Sequence, residues 1–479
     1  MTKETLTPDL CIIGAGSGGL SVAAGAAQLG LDTVLLEKDK MGGDCLNTGC
    51  VPSKALLAAG KRAAMHRKND IKGIAPHEPE IDYAAVKDHV SDTIATIEPN
   101  DSPERFRGLG VNVILQPGKF ISPDTLETDE YIIKAKKFII STGSRAFVPP
   151  IQGLEFDKVF TNENIFELRD KPDHLLIIGG GPIGIEMAQA HVRLGCKVSV
   201  FDMGGILPRD DQKNVEIVRE ALINEGINLH ENVSVKAVKH DGKDKVSLVI
   251  EKDGKEETID GSHLLVAAGR KPNVDSLGLD EAGIKHDRPG ITVTAGLKTS
   301  NPKVYAIGDV CGGPQFTHVA GYHAGIIIRQ ICFGIRWAKV DYTALPWVTY
   351  TDPELAQVGL TEAAAIEKYG KDFITVAEWK FDENDRAIAE RATKGQIRVV
   401  TNKKGLILGA SIVGPQAGEL IGLWALAISS KQKIGAITGM IAPYPTLGEA
   451  SKRAAGAWYT PTLFSDKTRR VVKILKHFG

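Results

Sequence analysis

The chain has 479 residues, about three times a typical domain, so two to four domains are expected. Its 58 Lys and Arg against 59 Asp and Glu leave a net charge of −1, which excludes the global positive field that holds a nucleic acid. Six cysteines are too few for a disulfide scaffold, and the polar start MTKETLTPDL carries no secretion-signal pattern. No run of about 18 apolar residues suits a membrane span, so a cytoplasmic protein is expected.

The 51 glycines exceed the usual share of about 7%, and their positions are informative. The apolar run Leu10-Cys11-Ile12-Ile13 leads into Gly14-Ala15-Gly16-Ser17-Gly18-Gly19, a helix-like stretch, and a second apolar run from Thr33 that ends in Glu37. This order predicts a strand, a tight turn, a helix, a strand and an acid. Gly14 permits the turn, Gly16 lets the backbone approach a pyrophosphate at the helix N-terminus, and Gly19 lets the helix pack on the strand. Glu37 is placed to accept from a ribose hydroxyl.

The unit recurs at Leu175-Leu176-Ile177-Ile178, with Gly179, Gly181 and Gly184 in the turn and Asp202 at the end of the next strand. Glu37 stands 23 residues after Gly14, and Asp202 stands 23 after Gly179. One such turn is weak evidence; two with the same spacing to an acid predict two dinucleotide sites. A carboxylate at 202 accepts from a 2′-hydroxyl and repels a 2′-phosphate, favouring NAD over NADP. Arg209 reads as a solvated loop charge.

After the first unit, Cys45 and Cys50 lie in GGDCLNTGCVPSK, at what reads as a helix start. In a regular helix this spacing gives about 7.5 Å of rise and about 140° of rotation, too far for a disulfide, whose Cα atoms lie within about 7 Å. Bridging needs a distorted turn, which Gly49 and Pro52 make cheap. A helix N-terminus and the nearby Lys54 both stabilise a thiolate. The reading is a redox-active pair; the alternatives are two structural cysteines or half of a zinc site. No second ligand pair or CxxC accompanies them, so no metal is expected.

GGDCLNTGCVPSK resembles the redox-disulfide signature of the flavin-dependent pyridine nucleotide-disulfide oxidoreductases, the group containing dihydrolipoamide dehydrogenase, glutathione reductase and mercuric reductase. The stretch from Ile139 to Ser144, with Thr142 and Gly143, is similar to the strand that returns near the flavin. The stretch from Leu264 to Asn273, with Gly269, resembles the strand closing the nicotinamide domain. The stretch from Thr299 to Asp309 resembles the segment whose aspartate binds the ribityl chain.

The resemblance implies FAD and NAD as cofactors, and electrons passing from NADH through the flavin to a Cys45–Cys50 disulfide and on to a disulfide or thiol-reactive acceptor. Cys50 would be the flavin-proximal thiolate, Cys45 the thiol that attacks substrate, and Lys54 and Glu186 a charge pair beside the flavin. Gly43, Gly118 and Thr317 would join Gly14, Gly16, Gly19, Glu37, Thr142, Gly143 and Asp309 in the flavin site. The implied fold is α/β, with two Rossmann-like dinucleotide-binding domains and a C-terminal α+β dimerisation domain. Residues 1–150 and 274–344 would form the FAD-binding domain, 151–273 the NAD-binding domain, and 345–479 the interface of a homodimer.

Pro443-Tyr444-Pro445 followed by Glu449 resembles the family's last motif, a His-Pro followed by Glu that lends a general base to the partner subunit in dihydrolipoamide dehydrogenase and glutathione reductase. Tyr444 replaces the histidine, and a phenol with a pKa of about 10 is a poor base at pH 7. Mercuric reductases also carry tyrosine here, but deliver metal through a vicinal cysteine pair near the C-terminus; this chain has no cysteine after Cys332. The alternatives are therefore a metal-ion reductase and an NADH:acceptor (quinone) flavoprotein at a membrane surface. Residues 466–479 carry five Lys and Arg and one Asp, with Val471, Val472, Leu475 and Phe478 at helical spacing. They read as a helix docked on its own domain, with contact to an anionic membrane surface as the alternative.

Overall fold

A computed structural model describes residues 3–155, 159–241 and 245–478; Gly479, at the end of the basic tail, lies outside them. Two parallel five-stranded sheets and one antiparallel five-stranded sheet organise the chain. In the first, the order is Val304–Ala306, Lys137–Ile140, Leu10–Ile13, Thr33–Leu36 and Val111–Ile114. Leu10–Ile13 and Thr33–Leu36 are buried at every position, which is why they read as unbroken apolar runs: helices Ser17–Gln28 and Thr317–Ile331 cover one face of the sheet, and the strands Lys119–Ser122, Thr125–Glu127 and Tyr131–Ile133 cover the other. The edge strand Val304–Ala306 comes from far along the chain and pairs in register with Phe138 to Ile140.

The second parallel sheet runs Val159–Phe160, His263–Val266, His174–Ile178, Lys197–Asp202 and Asn228–Glu231. Its glycine turn opens the helix Pro182–Arg193, as the turn after Leu10–Ile13 opens Ser17–Gln28. The helix Cys50–Arg67 packs along Pro182–Arg193 and so joins the two sheet units. Gly60 permits the approach, since a Cβ there would lie 3.2 Å from the Ala190 carbonyl oxygen.

The antiparallel sheet runs Pro346–Thr349, Glu354–Gly359, Ile407–Gly414, Gln396–Asn402 and Ile374–Lys380. Helices Ala417–Ser429 and Glu449–Ala457 cover it around the fully buried Trp424, whose Nε1 donates to Ser451 Oγ at 3.2 Å. Arg398, 1% exposed, projects from this sheet to Asp211 (2.7 Å), Glu378 (2.9 Å) and Glu362 (2.5 Å). Asp211 also caps the helix Gln212–Asn224 of the second unit, so one guanidinium ties the antiparallel sheet to its neighbour. The fold is α/β with an α+β C-terminal part.

The tail differs from its expected docking. Asp466–Leu475 is a helix, but none of its residues is buried, and Val471, Val472, Ile474 and Leu475 are 47–60% exposed. The helix is specified locally: Ser465 Oγ accepts from Thr468 N at 3.3 Å, Asp466 lies in the first turn and Lys473 in the last. Those signals set helical form without supplying an intramolecular packing partner.

Candidate active site

At the first glycine turn, Gly14 has φ +101°, a left-handed conformation that favours glycine. A Cβ on Gly19 would lie 1.9 Å from the Gly14 carbonyl oxygen, so the helix can sit on the turn only without a side chain there. Around Gly16, by contrast, an added Cβ would meet nothing within 4 Å, leaving an open cradle at the N-terminus of Ser17–Gln28. The second turn repeats this: a Cβ on Gly184 would lie 2.0 Å from Gly179 O, while Gly181 faces open space.

The acids also correspond. Glu37 Oε2 accepts from Ala15 N at 2.7 Å, and Asp202 Oδ2 accepts from Gly180 N at 2.7 Å. Each carboxylate thus binds the second residue of its glycine turn and stands beside the cradle. Open backbone at a helix N-terminus, with a carboxylate at the neighbouring strand end, fits a dinucleotide pyrophosphate and ribose in both units.

The loop that carries the cysteines is fastened to the first turn. Gly42 N donates to Ala15 O at 2.9 Å, and a Cβ on Gly43 would lie 2.8 Å from Gly16 Cα. Cys45 lies in the short helix Gly43–Asn47, and Cys50 starts the helix Cys50–Arg67. Between them Thr48 (φ −140°) and Gly49 (φ −129°, ψ −107°) leave helical geometry, which is the distortion that five-residue spacing requires. Both thiols are free, Cys45 half-buried and Cys50 exposed.

The pair shares one negative charge. The Cys45 thiol donates to Cys50, which, helped by Thr317 and the Lys54 ammonium, pulls the Cys50 pKa down to about 6. The same hydrogen bond, with burial, pushes the Cys45 thiol well above its ordinary range. Cys50 Sγ lies 3.3 Å from the hydroxyl of Thr317, the first residue of the helix Thr317–Ile331.

Two features flank the pair. Lys54 Nζ lies 2.6 Å from Glu186 Oε2, with Glu186 itself buried, and the other Glu186 oxygen accepts from Tyr350 N at 2.9 Å. The Lys54 ammonium also stands 4.5 Å from the centre of the Tyr350 ring. On the other side, Asp44 accepts from Thr48 (3.1 Å) and Asn162 (2.9 Å) and lies 3.2 Å from Arg270. Arg270 donates to Ser144 Oγ at 2.7 Å, and Ser144 donates to Asp309 at 2.6 Å. Burial raises the Asp309 pKa.

Thr142 donates to Asn273 O at 2.8 Å, and the neighbouring Gly143 faces open space, as does Gly269 across the paired strands Ser144–Ala146 and Arg270–Pro272. Gly118 serves packing: a Cβ would lie 2.7 Å from both Leu36 and Leu126. Sequence reading passed over Asp44, Asn162, Ser144, Arg270 and Tyr350. The available signal for Ser144 and Arg270 was their position directly after Gly143 and Gly269.

Tyr444 and Glu449 stand apart from this cluster. The Tyr444 hydroxyl donates to Asp385 Oδ2 at 2.9 Å, and that bond raises the phenol pKa. Glu449 instead pairs with Arg453 at 2.9 Å. Among the described residues, no hydrogen bond links either to Cys45 or Cys50 within the chain.

Residues 8–324 match the family model described as pyridine nucleotide-disulphide oxidoreductase, and 345–455 match its dimerisation domain. Mercuric reductase of Lysinibacillus sphaericus is 35% identical over 450 residues, covering 93% of this chain and 82% of that protein. Dihydrolipoyl dehydrogenase of Bacillus subtilis is 34% identical over 458 residues, covering 93% and 95%. Among solved structures, the Cu(II) complex of the HOCl-induced flavoprotein disulfide reductase RclA from Escherichia coli superposes with a TM-score of 0.82 at 25% identity, covering 93% of this chain and 98% of that one. The two glycine cradles, the cysteine pair between them and these matches together establish that the chain belongs to the pyridine nucleotide-disulphide oxidoreductases, enzymes that use FAD and NAD(P)H.

Proposed function

We propose that this protein oxidises NADH and reduces a disulfide or thiol-reactive acceptor at Cys45 and Cys50. The observation that carries this reading is the placing of Cys45 and Cys50 on either side of the break at Gly49, with Cys50 Sγ 3.3 Å from the Thr317 hydroxyl and Lys54 one turn on, an environment that favours a Cys50 thiolate. Bound FAD would supply the hydride acceptance that links nicotinamide to sulfur chemistry. The residues to hold it are Gly14, Gly16, Gly19, Glu37, Gly43, Thr142, Gly143 and Asp309. Gly179, Gly181, Gly184, Gly269 and Asp202 would hold the nicotinamide dinucleotide, with the Asp202 charge selecting NADH.

The sulfur steps balance within the chain's own residues. Cys45 Sγ attacks one sulfur of a disulfide acceptor, forming a mixed disulfide while the first acceptor thiolate leaves with the Cys45 proton. The Cys50 thiolate then attacks Cys45 Sγ, closing the Cys45–Cys50 disulfide and releasing the second acceptor sulfur. The acceptor gains two electrons and the cysteine pair loses them. Lys54 holds the Cys50 charge in place, and Glu186 holds Lys54. The dimerisation match supports a homodimer, and in this reading Tyr444 and Glu449 face the partner's cysteines.

A second reading, a metal-ion reductase, is favoured by one observation: Tyr444 donates to Asp385 and so offers no base for disulfide exchange. Two thiols on one loop also suit a soft metal ion as substrate. One assay separates the readings: NADH-dependent reduction of 5,5′-dithiobis(nitrobenzoate) against that of Hg²⁺ and Cu²⁺, in wild type, Cys45→Ser, Cys50→Ser and Tyr444→Phe. Both cysteine variants should lose disulfide reduction; full activity of Cys50→Ser towards every acceptor would defeat both readings. Selective loss of metal reduction in Tyr444→Phe would favour the second.

A further inference from the structure

The helix Asp466–Leu475 supplies no residue to the site described above, and its apolar and charged residues fall on sharply opposed faces. At 100° per residue, Val471, Val472, Ile474 and Leu475 occupy an arc of about 160°, and Arg469, Arg470, Lys473 and Lys476 an opposite arc of about 120°. The aliphatic side chains are exposed, and Phe478, just past the last turn, is 85% exposed. Leu463 and Phe464, shortly before the helix, are exposed as well. Lys467 falls within the apolar arc in the first turn, where its stem can lie along apolar neighbours while its ammonium reaches outward.

A helix of this length is marginal in water and is normally stabilised by burying its apolar face. Among the described residues, nothing buries that face. Asp466 is the one acid of the helix and lies 3.6 Å from Arg469, and among the described residues Arg470, Lys473 and Lys476 have no ion-pair partner. A second copy of the same helix would cover the aliphatic arc but leave the cationic arc without a counter-charge. A bilayer of anionic lipid complements both arcs at once: acyl chains take the aliphatic side, and headgroup phosphates take the cationic side. Among the described residues no helix is long and apolar enough to cross a membrane, so the helix would lie in the interface plane.

We propose that Asp466–Leu475 is a membrane-surface anchor that docks the enzyme on negatively charged bilayers. This is independent of which acceptor the cysteines reduce.

The test is co-sedimentation of the FAD-loaded full chain with phosphatidylcholine vesicles and with vesicles that also contain phosphatidylglycerol. The protein should pellet with the anionic vesicles and stay in solution with the neutral ones. Partitioning should weaken about tenfold or more when salt rises from about 0.1 M to about 1 M. The double substitution Val472→Glu and Leu475→Glu should abolish pelleting while leaving flavin absorbance and NADH oxidation unchanged; because no helix residue is buried, the fold should tolerate it. Removal of residues 466–479 should act alike. Equal partitioning to both vesicle types, or undiminished pelleting of either variant, would overturn the proposal. So would a change from dimer to monomer in the variants by size-exclusion chromatography, which would show that a second copy covers the helix.

Discussion

Lys54 Nζ stands 2.6 Å from Glu186 Oε2, joining the helix that begins at Cys50 to the helix that follows the second glycine turn. The bond fixes an ammonium one turn beyond the reactive thiol and couples the cysteine loop to the second sheet unit. Glu186 is held in turn by Tyr350 N from the antiparallel sheet, so all three sheet units meet at this pair.

The Cys50 thiolate should therefore be present at neutral pH. Its pKa is lowered, so the thiolate fraction rises with pH through a midpoint of about 6 and falls below it. Alkylation of the reduced protein by iodoacetamide should follow that midpoint. Cys45→Ala removes the sulfhydryl donor, the largest cause of the shift, and should move the midpoint upward. Lys54→Met should move it in the same direction by up to about one unit, since a smaller electrostatic contribution is lost.

Asp202→Asn should weaken selection between the nicotinamide cofactors. The substitution keeps the side chain's size and removes the charge that repels a 2′-phosphate. KM for NADH should rise about tenfold and KM for NADPH should fall, measured by steady-state kinetics with a fixed acceptor.

Tyr444→His should raise disulfide reduction. Imidazole titrates near neutrality, whereas the phenol is held protonated by Asp385. The rate with lipoamide as acceptor should increase by about tenfold or more. An unchanged rate would show that proton transfer at this position does not limit exchange.

Arg398→Ala should destabilise the fold by about 3–5 kcal/mol, because it leaves the buried Asp211 carboxylate without its cation. Arg398→Lys should recover only part of this, since a single ammonium cannot reach three carboxylates in the same geometry. Urea denaturation followed by tryptophan fluorescence checks both.

The readable parts of the site were local. The glycine turns declare themselves because the turn, the close approach of Gly19 to Gly14, and the acid at the next strand end all follow from short stretches of chain. The cysteine pair was equally plain, including its need for a break near Gly49. What sequence spacing could not supply was the chain of contacts in which Asp44 pairs with Arg270, Arg270 donates to Ser144 and Ser144 donates to Asp309. Those residues meet only because Arg270–Pro272 pairs antiparallel with Ser144–Ala146. Docking of Asp466–Leu475 was wrongly expected for a related reason: its pattern specifies an apolar face but not what covers it.

The most direct test of a working Cys45–Cys50 couple is anaerobic addition of NADH to the FAD-loaded oxidised protein, followed by visible absorbance and thiol titration. A long-wavelength absorbance band should develop as two protein thiols appear, and Cys50→Ser should show neither. Loss of flavin absorbance in the wild type with no such band and no new thiols would contradict it.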